Sequence, residues 1–216
     1  GQIGQSHRGV AELARRGILR AIITSNFDHY IEKALEEKGL EVQVISTDED
    51  LKNSEPLIHC KAVRIYKPHG DLGRGALRNT PKDLRRLSPE MEKELIRILS
   101  EHGTIVLGYS GRDEGIQKVF MERDYTRYPL FWVNPSPPTG SVKEILDKKS
   151  YTYIPCEGAS QFIDSYLRVL QNLEQLAPTV GSGPTYVDLE YAFVSSNKPI
   201  GPLYSDFLSG VVRDLE

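Results

Sequence analysis

Four short polar clusters hold the residue types that do chemistry, and each closes or directly follows an apolar run that reads as a β-strand. Thr24-Ser25-Asn26-Phe27-Asp28 closes LRAIIT, and Pro68-His69-Gly70-Asp71 follows VRIYK. Gly108-Tyr109-Ser110-Gly111-Arg112-Asp113 follows TIVL, and Asn134-Pro135 follows LFWV. In an open parallel sheet, ligands bind in the crevice outside the carboxyl ends of the strands. Polar or glycine-rich clusters at the same end of successive strands therefore predict one binding site. The third cluster suits a phosphate, because glycine leaves backbone N–H groups free and a helix N-terminus favours an anion. Histidine is the side chain that exchanges a proton near neutral pH, so His69 is a candidate general base. Singly, each cluster also has a structural reading. Asn26 and Asp28 can cap the next helix, His69 can be a solvated turn residue, Asp113 can cap a helix after a tight turn, and Asn134 before proline is a common turn residue.

The elements that must position these clusters follow from periodicity. After Ser6, Val10, Leu13, Ala14 and Ile18 recur at helical spacing, with Gly17 placed to stop the helix. LRAIIT reads as a buried strand. A second helix puts Ile31, Ala34 and Leu35 on one face and ends at Gly39. EVQVIS alternates like a strand, residues 47–56 are acidic and read as a surface loop, and 57–67 carries one or two strands. Residues 70–81, rich in Gly, Arg and Asn, read as a loop that closes over a site. Ser88-Pro89 supplies a cap and a first-turn proline for a helix with a Met91, Leu95, Ile98, Leu99 stripe. TIVL is a strand, and Asp113 to Met121 a helix with Ile116, Val119 and Phe120 inward. LFWV is a strand, Ser141-x-x-Glu144 is a capping box opening a short helix, and Tyr151 to Ile154 is a strand. A last helix runs to about Leu176 with Phe162, Ile163, Tyr166, Leu170 and Leu173 on its core face. This alternation predicts an α/β fold, a Rossmann-like, mostly parallel sheet with helices on both faces. Residues 1–176 form that domain, and 177–216 read as a linker (APTVGSGPT) and a C-terminal extension.

Composition narrows the function classes. With 216 residues and a formal net charge of −3, nothing global draws the chain to nucleic acid or an anionic membrane. No apolar run approaches a membrane span. Cys60 and Cys156 form no C-x-x-C pair, and His59-Cys60 has no second pair, so no metal site and no zinc-ribbon module is expected. Two free thiols suit a reducing cytoplasm. Arg74, Arg78, Lys82, Arg85 and Arg86 form a basic stretch able to contact phosphates, though such a run is more often a solvated face.

In order and spacing, T-S-N-F-D, P-H-G-D, G-Y-S-G and V-N-P resemble the sirtuin superfamily, whose patterns are T-(Q/T)-N-(I/F/Y)-D, H-G, G-(T/Y)-S and a strand ending in Asn. S-H-R-G-V-A-E-L-A-R-R-G also looks like the helix before the first motif in the prokaryotic sirtuin-like branch. The resemblance covers about residues 6–175. It implies NAD as substrate. Asn26 would contact the nicotinamide-side ribose, Asp28 would hold the carboxamide, and His69 would act as general base on a ribose hydroxyl or a water. Gly108 and Ser110 would line the phosphates, Asn134 would meet the adenosine ribose, and Cys156 to Gly158 would lie near the adenine. Thr24, Ser25, Phe27, Gly70 and Tyr109 complete the expected binding set. The implied activity is NAD glycohydrolysis, which in that branch often serves as an anti-phage defence effector switched on by a sensor. The alternatives are a non-catalytic NAD- or ADP-ribose-binding or scaffold module, and a nucleic-acid-associated subunit.

Three departures qualify the resemblance. Protein-deacylating sirtuins carry two C-x-x-C pairs after H-G, and an F-G-E-type segment that pairs with the acyl-lysine peptide; this sequence has neither, which argues against peptide substrates. The family also begins with a strand and a G-A-G-x-S turn around the pyrophosphate, and this sequence starts after that position. The expectation is a further domain or partner chain that completes the sheet, or self-association through the LRAIIT edge. A second expectation is weak NAD binding by residues 1–216 alone.

Overall fold

The computed structural model describes residues 2–71 and 86–176. The expected loop over 72–81 and the extension over 177–216 lie outside the described residues. The chain divides into two compact units, residues 1–161 and 162–216.

The first unit alternates helix and strand: α1 (Gln5–Arg15), β1 (Ala21–Ile23), α2 (Tyr30–Glu36), β2 (Val42–Ile45), α3 (Asp48–Lys52), β3 (Val63–Tyr66), α4 (Pro89–Glu101), β4 (Thr104–Leu107), α5 (Glu114–Glu122), β5 (Leu130–Asn134), α6 (Gly140–Leu146) and β6 (Thr152–Pro155). Helix α1 stops where the left-handed Gly17 (φ 76°) lets its N–H reach Ala14 O and lets the Ile18 N–H reach Leu13 O. Helix α4 starts as expected: the Ser88 Oγ accepts from the Met91 N–H, Pro89 fills the first turn, and Met91, Leu95, Ile98 and Leu99 are buried. Helix α7 (Ala159–Leu176) begins at the end of this unit and runs into the second. Within it, Phe162 and Tyr166 stack one turn apart at 6.1 Å, and Ile163 and Leu170 are buried.

Two local readings are corrected. Residues 47–56 are not all loop. Thr47 caps the short helix α3 by accepting from the Asp50 N–H, while the Asp50 carboxylate accepts from the Thr47 N–H. Helix α6 starts after Thr139, whose side chain makes no capping bond, and is not opened by a box at Ser141, which lies inside the helix.

Among the described residues all strand pairing is parallel, and the Rossmann-like α/β class is borne out. The strands form two three-stranded sheets, ordered β1-β3-β2 and β4-β5-β6, rather than the single sheet expected. Among the described residues β1, β2, β4 and β6 each have a ladder partner on one side only. Period-two alternation covers both faces of the first sheet. Val63 and Ile65 pack with Ala11, Ala14, Ala34 and Leu35 of α1 and α2. Ile45 and Tyr66 point to the opposite face, into a core shared with Met91, Leu95, Val106, Phe120 and Trp132. This second core spans both sheets. Among the described residues no backbone ladder joins the two sheets.

Candidate functional site

The first half of the site lies at the paired ends of β1 and β3. Their ladder runs Ile23 opposite Tyr66 and closes with the Thr24 N–H on Tyr66 O at 3.0 Å. The chain then turns, with Thr24 Oγ1 accepting from the Asn26 N–H at 3.1 Å. Asp28 Oδ1 accepts from the Tyr30 N–H at 3.2 Å, so this carboxylate steadies the start of α2. Ser25 and Asn26 are exposed, and Thr24, Phe27 and Asp28 are half-buried. After β3, Gly70 adopts a positive φ of 100° and donates to Lys67 O, a tight turn that leaves His69 buried.

These loops are tied by a buried charge network that the sequence reading did not single out. The Lys67 ammonium, 1% exposed, lies 2.5 Å from Asp28 O, 2.5 Å from Glu32 Oε1 and 3.1 Å from Asp71 Oδ2. His29 joins the same carboxylates, through Nδ1 to Glu32 Oε1 at 3.3 Å and Nε2 to Asp71 Oδ1 at 3.2 Å. One lysine thus connects the N-F-D loop, helix α2 and the P-H-G-D turn. His29, Glu32 and Asp71 present donor atoms within 4.8 Å of one another, a spacing suited to a metal. The Lys67 ammonium already touches both carboxylates and supplies the cation there. The sequence signal was available only in outline, as a lysine four residues before Asp71, with Glu32 hidden among apolar neighbours on α2.

The second half lies at the ends of β4, β5 and β6. Gly108 (φ 62°) turns the chain outward, and Gly108 and Ser110 are exposed. Tyr109 turns inward beside Phe120 and Trp132, with ring centroids 6.2 and 6.0 Å away. Burial pushes its phenol well above the usual range, so it is neutral. Asn134 bridges the three strand ends. Its Nδ2 donates to Tyr109 O at 2.9 Å, and its carbonyl accepts from the Cys156 N–H at 3.1 Å and the Tyr153 hydroxyl at 3.2 Å. Cys156 is half-buried, and its thiol faces Gly158 O and Gln161 Oε1.

One contact joins the halves. His69 Nε2 meets Asp113 Oδ2, linking the turn after β3 to the start of α5. The contact brings the P-H-G-D turn up to the end of the glycine turn. Asp113 also caps α5, with Oδ1 accepting from the Ile116 N–H at 3.1 Å. Among the described residues no hydrogen bond joins the Asn26 side chain to His69.

The motifs have a counterpart at family level: the family model described as "SIR2-like domain" matches residues 20–178. The chain belongs to the SIR2-like domain family. Solved structures with TM-scores above 0.5 agree on the fold. The SIR2-like chain is similar to a Sir2 homologue crystallised as its NAD complex (17% identity, TM-score 0.49), covering 79% of this chain and 66% of that one. A triple mutant of Sir2 homologues in complex with 2′-O-acetyl ADP ribose gives 17% identity and a TM-score of 0.51, covering 83% and 70%. A Sir2 homologue mutant in complex with ADP ribose gives 16% and 0.52, with the same coverage. The SIR2-like chain thus spans about two thirds of the length of these solved chains. Comparison with curated proteins gives no match.

The glycine turn of this SIR2-like domain is constrained twice over at Gly111. Its φ is 73°, and a Cβ there would lie 2.4 Å from Val142 Cγ1 and 2.9 Å from Val142 Cβ, on a fully buried side chain. The backbone strain and the overpacking each cost roughly 1–3 kcal/mol. Gly111→Ala is therefore expected to lower the unfolding free energy by a matching amount, read as a lower urea midpoint. An unchanged midpoint would mean that α6 does not press on this turn.

Proposed function

We propose that this SIR2-like protein hydrolyses the bond between nicotinamide and ribose in NAD, consuming one water and releasing nicotinamide, an ADP-ribose product and a proton. The observation that carries the reading is the His69–Asp113 contact, which sets the candidate proton acceptor beside the end of the glycine turn. Exposed Gly108 and Ser110, just before the capped N-terminus of α5, suit a pyrophosphate. Two fold neighbours were solved with ADP-ribose compounds, which supports the same ligand class here.

In this reading Asn26 orients the nicotinamide-side ribose and places the attacking water at its anomeric carbon. Asp28 holds the carboxamide. His69 takes the proton of the water or of a ribose hydroxyl as bonding to the departing nicotinamide breaks. Gly108 and Ser110 carry the phosphates with Tyr109 between them, and Asn134 and Cys156 border the adenosine end. Thr24, Ser25, Phe27 and Gly70 shape the walls. The one-sided ladders of β1 and β4, with Ile23 exposed, support a partner strand or second copy that completes the sheet.

A specific observation favours a second reading, a non-catalytic NAD- or ADP-ribose-binding module. His69 is only 4% exposed, and the Asp28 carboxylate is engaged at the start of α2. Incubation of the full-length protein with NAD, followed chromatographically, separates the two. Equal release of nicotinamide and ADP-ribose product is expected. An acetyl-lysine peptide added to the same mixture is expected to keep its acetyl group, because the sequence lacks the segment that would offer it an edge strand. Intact NAD despite measurable binding would support the module, and no binding of NAD or ADP-ribose would overturn both.

A further inference from the structure

Asp113 does two jobs with one carboxylate. Oδ1 accepts from the Ile116 N–H at 3.1 Å and so closes the first turn of α5, while Oδ2 meets His69 Nε2. The helix behind it is anchored by buried Val119 and Phe120, and the turn before it is braced by Gln117 Nε2 donating to Gly111 O at 2.6 Å. The carboxylate is therefore held on a rigid element, in a rotamer fixed by the cap. On the other side, His69 Nδ1 is buried and meets no hydrogen-bond partner among the described residues.

From this arrangement we infer that Asp113 is the positioning residue of His69, fixing the imidazole as its Nε2–H tautomer so that Nδ1 is the nitrogen that accepts the proton. The inference rests on the proposed hydrolysis and names the working end of its base. The physical reason is donor and acceptor matching. A carboxylate accepts only, so the nitrogen facing it must carry hydrogen, and the lone pair is left on the other nitrogen. When Nδ1 takes a proton from the nucleophile, the ring becomes an imidazolium, and the adjacent carboxylate stabilises that charge without being protonated itself. No other carboxylate contacts His69 among the described residues.

Asparagine separates the two jobs. Asp113→Asn keeps a strong N-cap, since Asn and Asp cap comparably. Its amide can instead donate to Nε2, which forces the proton onto Nδ1 and abolishes the acceptor. The test compares wild type, Asp113→Asn and Asp113→Ser, which caps but does not reach His69. NAD turnover, thermal midpoint and the ¹⁵N shifts of the His69 ring are measured on full-length protein. The expected result is an Nε2–H tautomer in wild type, inverted in Asp113→Asn. With it come a kcat loss of roughly 100-fold or more, a KM changed little and a melting temperature within a few degrees of wild type. A wild type that cleaves NAD alongside an Asp113→Asn variant of equal kcat would overturn the positioning role and reduce Asp113 to a cap. An Nδ1–H tautomer in wild type would overturn it as well. If wild type releases no nicotinamide yet shows the Nε2–H tautomer, the hydrolysis reading fails and the pairing stands.

Discussion

Replacing His69 with alanine is expected to lower NAD turnover by roughly 100- to 10,000-fold, the range that general base catalysis contributes. The residue sits three positions past the end of β3, where the ladder with β1 has already closed, so no strand hydrogen bond is lost with the ring. Its removal leaves the Asp113 carboxylate with its capping bond to Ile116, and the start of α5 is retained. The ring is nonetheless buried, so a modest loss of stability accompanies the change, and His69→Gln provides a bulkier control. Asn26→Ala should act by a different route. Asn26 is exposed and its loop is held by backbone and by Thr24 Oγ1, so truncation leaves the fold unchanged. What it removes is the orientation of the ribose, an entropic contribution that can equal or exceed the base. Asp28→Asn should be milder, because the amide oxygen can still accept from the Tyr30 N–H. Chromatographic release of nicotinamide, with melting curves beside it, decides the matter. Near-wild-type turnover by His69→Ala would remove His69 from the reaction.

The parts of the fold that sequence exposes best are those where several local signals agree. Helix α4 has a capping serine, a first-turn proline and a four-residue apolar stripe, and TIVL coincides with β4. Helix α3 escaped because its reciprocal cap uses Thr47 and Asp50 within an acidic run, where charge reads as solvation. The apparent box at Ser141 failed because Thr139 and a left-handed Gly140 set the start of α6 earlier. The strand-end clusters were legible because parallel-sheet geometry fixes where ligands go. The residues that tie them together were not. Lys67 reads as the polar end of a strand and Asp113 as a cap. Only the folded chain shows that their second contacts reach across loops 39 and 44 positions distant.

Lys67→Met is expected to destabilise the fold by about 3–5 kcal/mol, the usual cost of removing one partner from a buried ion pair. Lys67 is 1% exposed and its two carboxylate partners have side chains 9% and 2% exposed, so neither Glu32 nor Asp71 can turn to water for compensation. Methionine matches the stem in length and packs the same apolar path, so the change isolates the ammonium. The lost charge leaves two carboxylates facing His29, and Glu32 Oε2 already has no hydrogen-bond partner among the described residues. The Asp28 carbonyl loses its donor at the same time, freeing the N-F-D loop from the P-H-G-D turn. Stability and the proposed activity should therefore fall together. The double variant Lys67→Met/Glu32→Gln removes one of the two buried carboxylate charges and should recover part of the loss, because a neutral amide costs far less to bury than a carboxylate. Urea denaturation of the three proteins measures both effects. A loss below about 1 kcal/mol in Lys67→Met would place the network at the level of an exposed ion pair. Absence of recovery in the double variant would show that the loss comes from the missing donor to the Asp28 carbonyl and not from the Glu32 charge. If the network is what holds the loop, activity in the double variant should recover less than stability does. Glutamine restores electrical balance, but nothing in it replaces the donor that Asp28 has lost.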